Sequence, residues 1–109
     1  MSWQIEFIDE AKKDMRQLDH SVQIQVAQGI RKVAQNPVST REGGCGKPLG
    51  NQIGTHLSGL FKIKFRDLGI RVVYKVLYTD TVMKIIVVSA RSDELVYKLA
   101  QRRRKKYEL

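Results

Sequence analysis

The sequence predicts an α+β domain in which a helical hairpin packs on a mainly antiparallel four-stranded sheet, in the order β-α-α-β-β-β-α. Three observations lead there. A short alternating stretch, Trp3-Gln4-Ile5-Glu6-Phe7, is followed by two amphipathic segments with only a brief turn between them. Three strand-like runs then succeed one another between residues 60 and 90. The final segment carries acids at its start and bases at its end, as a helix dipole favours. With 109 residues there is room for one modest core, so residues 1–109 read as a single domain.

Each element has its own signal. Residues 3–7 alternate, placing Trp3, Ile5 and Phe7 inward on a first strand. Asp9 offers an N-cap, and Ala11, Met15 and Leu18 recur at helical spacing. Asp19-His20-Ser21 is a turn, with Ser21 or Asp19 capping a second helix whose stripe is Val22, Val26, Ile30 and Val33, flanked by Ala27 and Ala34. Asn36-Pro37 stops that helix, because the residue before proline is pushed out of the helical region. So short a turn makes the two helices antiparallel.

Residues 39–59 hold six glycines, few apolar residues and no periodicity, which predicts a long loop. Its Gly-Cys-Gly-Lys-Pro run lacks the Ser/Thr that follows the lysine of a phosphate-binding loop, and Pro48 would have to open the helix. Residues 60–66 then pair with 70–78 across Asp67-Leu68-Gly69, with glycine where positive φ is needed. Residues 82–90 are β-branched and nearly uninterrupted, as in a central strand buried on both faces. Thr79-Asp80-Thr81 turns the chain between these last two strands. Ser92 caps a last helix with Asp93 and Glu94 in its first turn and Arg102 to Lys106 in its last.

Composition narrows the function. The net charge is +9 with a pI near 9.9, which points to a polyanionic partner. Residues 1–59 carry 7 Lys/Arg against 6 Asp/Glu, while residues 60–109 carry 13 against 5, so the basic function belongs to the second half. One cysteine, Cys45, allows no internal disulfide and no zinc site. There is no carboxylate cluster for magnesium, so no metal or cofactor is expected. The amino terminus lacks the plan of a signal peptide, and no apolar run nears the roughly 20 residues of a membrane span. The expected setting is cytoplasmic, away from membranes.

Lys62, Lys64 and Arg66 share one face of a strand whose other face is Phe61, Ile63 and Phe65. Neighbours on that face sit roughly 7 Å apart, so each like-charged pair costs about 2 kcal/mol at an effective dielectric near 20. Arg71 joins this face if it lies directly opposite Lys64, and a one-residue slip would remove it. Arg91 ends the last strand, and Tyr97 lies on the first turns of the following helix. Such a set suits metal-free cleavage of RNA, in which the 2′-hydroxyl of the substrate attacks the adjacent phosphorus. The protein then supplies a base, a proton for the leaving 5′-oxygen, and cations for the transition state, the last commonly worth about 3–4 kcal/mol per donor. Crowded lysines lose their protons more readily, which suits one of them to be the base. Tyr74, in mid-strand, reads as core. His56, just ahead of the cationic strand, is the one histidine placed for acid–base work; His20 reads as surface and Trp3 as a core or edge residue.

Lys62-Ile63-Lys64-Phe65-Arg66, Gly69-Ile70-Arg71-Val72-Val73-Tyr74, and Arg91 with Val96-Tyr97 together resemble the RelE family, toxins of prokaryotic type II toxin–antitoxin systems. The similarity spans roughly residues 3–100. It implies a ribosome-dependent endoribonuclease that cuts mRNA in the A site of the 70S ribosome. It also implies neutralisation by a cognate antitoxin, and operator DNA bound only as the toxin–antitoxin complex. By that resemblance Lys64 is the general base, Arg91 serves the leaving group, Lys62 and Arg71 hold the phosphate, and Tyr97 stacks on a base. Arg66 and the tail residues Arg102, Arg103, Arg104 and Lys105, in the basic helix end at 102–109, are expected RNA contacts. The alternative on the same fold is a ParE-like gyrase inhibitor without nuclease activity, a branch that generally lacks this Lys/Arg/Tyr set. The glycine-rich loop is longer than the family would have it.

Overall fold

The computed structural model describes residues 3–49 and 57–109. The elements are β1 (Gln4–Phe7), α1 (Asp9–Arg16), α2 (His20–Val33), β2 (Lys47–Pro48), β3 (Leu60–Phe65), β4 (Ile70–Leu77), β5 (Val82–Ser89) and α3 (Asp93–Lys106). The fold is the expected α+β arrangement, with one correction. Among the described residues the sheet has five strands rather than four, in the order β1-β5-β4-β3-β2. The addition is β2, two residues inside the glycine-rich segment whose composition predicts a loop. It pairs antiparallel with β3, Lys47 opposite Lys62 and Pro48 opposite Phe61. So short a strand carries no periodicity, and a proline is tolerated there because β2 lies at the sheet edge. A 3₁₀ turn at Thr40–Glu42 and a bridge between Ser39 and Gly46 order the chain just before it. His56 lies outside the described residues.

β1 runs parallel to β5, while the β5–β4 and β4–β3 pairs are antiparallel. The turn into β4 has Gly69 at φ 67°, as its sequence predicted. β5 is buried over most of its length, and Val72, Val73, Tyr74, Met83, Ile85 and Ile86 are fully enclosed in the core. Tyr74 is core as expected. Its ring stacks on Phe61 at 5.4 Å, its hydroxyl donates to the Pro37 carbonyl at 2.8 Å, and burial raises its pKa well above the usual phenol value.

Two faces of the sheet are covered differently. On the Phe61/Phe65/Tyr74 face α2 approaches so closely that a Cβ on Gly29 would stand 2.2 Å from the Phe65 ring. The opposite face, with Lys64, Arg71 and Lys75, is crossed by α3. The first turn of that helix meets Lys64 and Arg71, and the Lys75 ammonium donates to the main-chain oxygen of Leu109 just beyond it. Helix starts differ in detail from the sequence reading. Ile8, not Asp9, is the N-cap of α1, and Asp9 falls in the first turn, where its charge suits the dipole. Asp19 and Ser92 occupy the N-cap positions of α2 and α3 without side-chain capping bonds.

Candidate functional site

Hairpin register decides the site. Lys64 is the direct cross-strand partner of Arg71, and Lys62 of Val73, so Lys62, Lys64 and Arg71 share one face. Arg71 in turn lies opposite Ser89, two residues before Arg91. Its guanidinium donates to the Arg91 carbonyl at 2.9 Å, and the Arg91 amide donates to Ser89 Oγ at 3.1 Å. Arg91 thus sits on a bend tied to Arg71, with its side chain in solvent. Tyr97, one turn into α3, is only 9% exposed. Its pKa is raised, first by burial and then by the charge of Asp93, against the opposing pull of Lys64 and Arg71. With so little surface free, its ring cannot receive a base face to face unless α3 or the side chain shifts.

A small cavity of about 250 Å³ opens between Lys64, Phe65, Arg66, Gly69, Ile70 and Arg71. It is continuous in its lining with a groove of about 460 Å³ that runs past Lys64 and Arg66 to Gln25, Gln28 and Lys32 of α2. Arg66, just past the end of β3, is therefore on the wall of both.

Two residues that sequence reasoning missed belong here. Asp93 was legible only as a first-turn acid of α3, yet its carboxylate spans the centre of the site. It pairs with Lys64 Nζ at 3.1 Å and accepts from Arg71 Nε through its other oxygen. Burial raises the Asp93 pKa, but the hydrogen bonds from Lys64 and Arg71 outweigh that and hold the carboxyl below its usual value. Lys47, set aside with the glycine-rich run, stands across from Lys62 on β2. Like charges directly opposite destabilise a sheet, and neither makes an ion pair among the described residues. The signal for Asp93 was its distance of two residues from Arg91; for Lys47 there was none short of the pairing itself.

The basic tail divides. α3 has 14 residues, so at 1.5 Å per residue its far end is about 20 Å from Asp93 and does not join the site. Arg103 is largely buried. It forks onto Asp14 of α1 at 2.7 and 3.3 Å and donates to the Ile86 carbonyl at 3.0 Å. Asp14 also accepts the Val88 amide at 3.0 Å, so one carboxylate ties α1, α3 and β5 together. Lys106 pairs with Glu10 at 2.8 Å, and the Tyr107 hydroxyl donates to the same carboxylate. Arg104 is half-buried, whereas Arg102 and Lys105 face solvent. No group of three or more His, Cys, Asp or Glu side chains able to hold a metal occurs among the described residues.

A mainly antiparallel sheet with a cationic face, two helices between its first two strands and a third helix crossing that face make up an arrangement that known proteins share. The family described as the ParE toxin of the type II toxin–antitoxin system parDE matches residues 5–95. A putative RelE-like toxin protein of Escherichia coli is 30% identical over 103 residues, which cover 94% of this chain and 98% of that protein. A mutant of E. coli RelE solved in the free state superposes with a TM-score of 0.72 at 25% identity, covering 94% and 98% of the two chains. The same toxin mutant in complex with a peptide of antitoxin RelB gives 0.69 at 26% identity, covering 92% and 95%. This chain belongs to the RelE family of type II toxin–antitoxin toxins, within the RelE/ParE superfamily.

Proposed function

We propose that this toxin is a ribosome-dependent endoribonuclease that cuts mRNA in the A site of the 70S ribosome and so inhibits translation. The observation that supports it most is the register setting Lys64 directly beside Arg71. A proton acceptor and a phosphate clamp are thereby neighbours on one face, with Arg91 tied to the clamp through its carbonyl. In this reading Lys62 and Arg71 hold the scissile phosphate. Neutral Lys64 takes the proton of the 2′-hydroxyl, the 2′-oxygen bonds to phosphorus, and the bond to the 5′-oxygen breaks. Arg91 stabilises the charge on that leaving oxygen; a guanidinium keeps its proton, so this role is electrostatic. The 5′-oxygen takes its proton from solvent, so that a 2′,3′-cyclic phosphate and a 5′-hydroxyl result, without metal or cofactor.

The partner chemistry follows from the relatives. RelE is seen with an antitoxin peptide, and a cognate antitoxin is the expected neutralising partner here, with operator DNA bound by the pair. The site and the second-half positive charge fit an RNA-dominated surface in the cytoplasm; among the described residues no helix is long and apolar enough to cross a membrane. The test is inducible expression with mRNA 5′-end mapping, alongside purified ribosomes. Cuts inside codons only when ribosomes are present are expected; intact message on toxin-bound ribosomes would reject the reading. The name of the matching family favours one second reading, a ParE-like gyrase inhibitor. That reading requires loss of DNA supercoiling in a purified gyrase assay with no mRNA cleavage.

A further inference from the structure

We infer that Asp93 is a built-in anionic occupant of the phosphate seat, and that substrate enters by displacing its carboxylate from Lys64 and Arg71. A carboxylate offers two acceptor oxygens to two cationic donors, as a phosphodiester does with its non-bridging oxygens. Here one oxygen is on Lys64 Nζ at 3.1 Å and the other on Arg71 Nε. The contact is not sealed. The side chains of Lys64, Arg71 and Asp93 are 34%, 28% and 39% exposed, and Lys64 and Arg71 also line the cavity of about 250 Å³ through which an anion can reach them. Exchange of one anion for another is therefore sterically open.

The charge pattern singles this residue out. Lys47 and Lys62 stand opposite each other one strand step away, with no carboxylate on them among the described residues, while Lys64 and Arg71 have theirs. The unoccupied pair and the occupied pair are roughly 7 Å apart, about the separation of successive phosphates on an extended strand. An RNA phosphate that settles first on Lys47 and Lys62 lies beside the Asp93 carboxylate and competes with it for Arg71. Asp93 is thus a gate on the site, and substrate opens it.

This rests on the proposed reading that puts Arg71 on the scissile phosphate and Lys64 beside it at the 2′-hydroxyl, and the test keeps its own failure separate from that of the cleavage reading. Inorganic phosphate and a 2′-O-methyl RNA trinucleotide, neither of which can be cleaved, are titrated into the isolated full chain and followed by NMR. Asp93→Asn, and independently Asp93→Ser, are expected to bind both probes about tenfold more tightly than the wild type. Asp93→Glu, which keeps the charge, is expected to show no gain. Adding Lys64→Ala to Asp93→Asn is expected to abolish the gain. Affinity unchanged or weakened in the Asn and Ser variants overturns the inference, since a carboxylate that only held the two cations in place would lower binding when lost. None of these readouts needs a ribosome or a cut message, so a gate without nuclease activity would be recognised as such.

Discussion

At the level of single residues, five cations and one tyrosine do not have equal standing. Lys64 and Arg71 are fixed by strand register, Arg91 by the bend that its own amide makes with Ser89. Lys64→Ala and Arg91→Ala are each expected to lower mRNA cleavage on ribosomes by about 100-fold or more, as loss of a general base or of one transition-state donor commonly does. Circular dichroism should show the fold intact, since both side chains project from the core. Lys47→Ala is expected to weaken RNA binding with little change in the cleavage rate at saturation, because Lys47 lies beside the proposed reacting set and not in it. Single-turnover kinetics separate the two effects. The sequence named Lys62, Lys64, Arg71, Arg91 and Tyr97 as candidates, and the register brings Lys62, Lys64 and Arg71 onto one face. It hid Asp93, because an acid after a helix start already has a sufficient explanation in the dipole. It hid Lys47, because a two-residue strand has no period to read.

Among the elements, α3 carries most of the consequences. Its start forms one wall of the site, and its body is pinned through Arg103 to Asp14. That pair is 12% and 15% exposed and also satisfies two main-chain groups of β5. Asp14→Ala leaves a buried guanidinium and the Val88 amide without their acceptor, so destabilisation of about 3 kcal/mol is expected in urea unfolding. Beyond Arg103 the anchorage is of another kind. Hydrogen bonds from Lys106, then Tyr107, lower the Glu10 pKa to about 2 from 4.5. A carboxyl depressed in the folded state contributes fully above its unfolded value and is lost as pH falls through its folded value. The end of α3 should therefore loosen from α1 between about pH 4.5 and pH 2, which hydrogen exchange at residues 103–107 would report. The helix itself was plain in the sequence; its use of Arg103 as a strut rather than an RNA contact was not, because an Arg-Arg-Arg run gives no hint of which member turns inward.

Across the molecule as a whole, charge and topology tell one story. The excess of positive charge in the second half follows β3, β4 and α3, the elements that form and flank the candidate site. Binding to an RNA-rich surface should then weaken steeply with salt, with log affinity falling linearly in log salt concentration. A flat dependence between 50 and 200 mM would speak for a largely apolar partner surface instead. The architecture was readable because alternation, turn glycines and the proline stop all agreed. The sheet edge at β2 was not, because nothing local marks where a loop briefly pairs.

The parallel pairing of β1 with β5 has a consequence for the birth of the protein. Glu6 and Lys84, joined across those strands at 2.9 Å, are 78 residues apart in the chain. The first strand therefore waits, unpartnered, through most of translation, and such distant pairings close late. The cationic face is assembled only when β5 and α3 have followed. Under the proposed function, the chain is thus without its cationic face for as long as a ribosome is still making it.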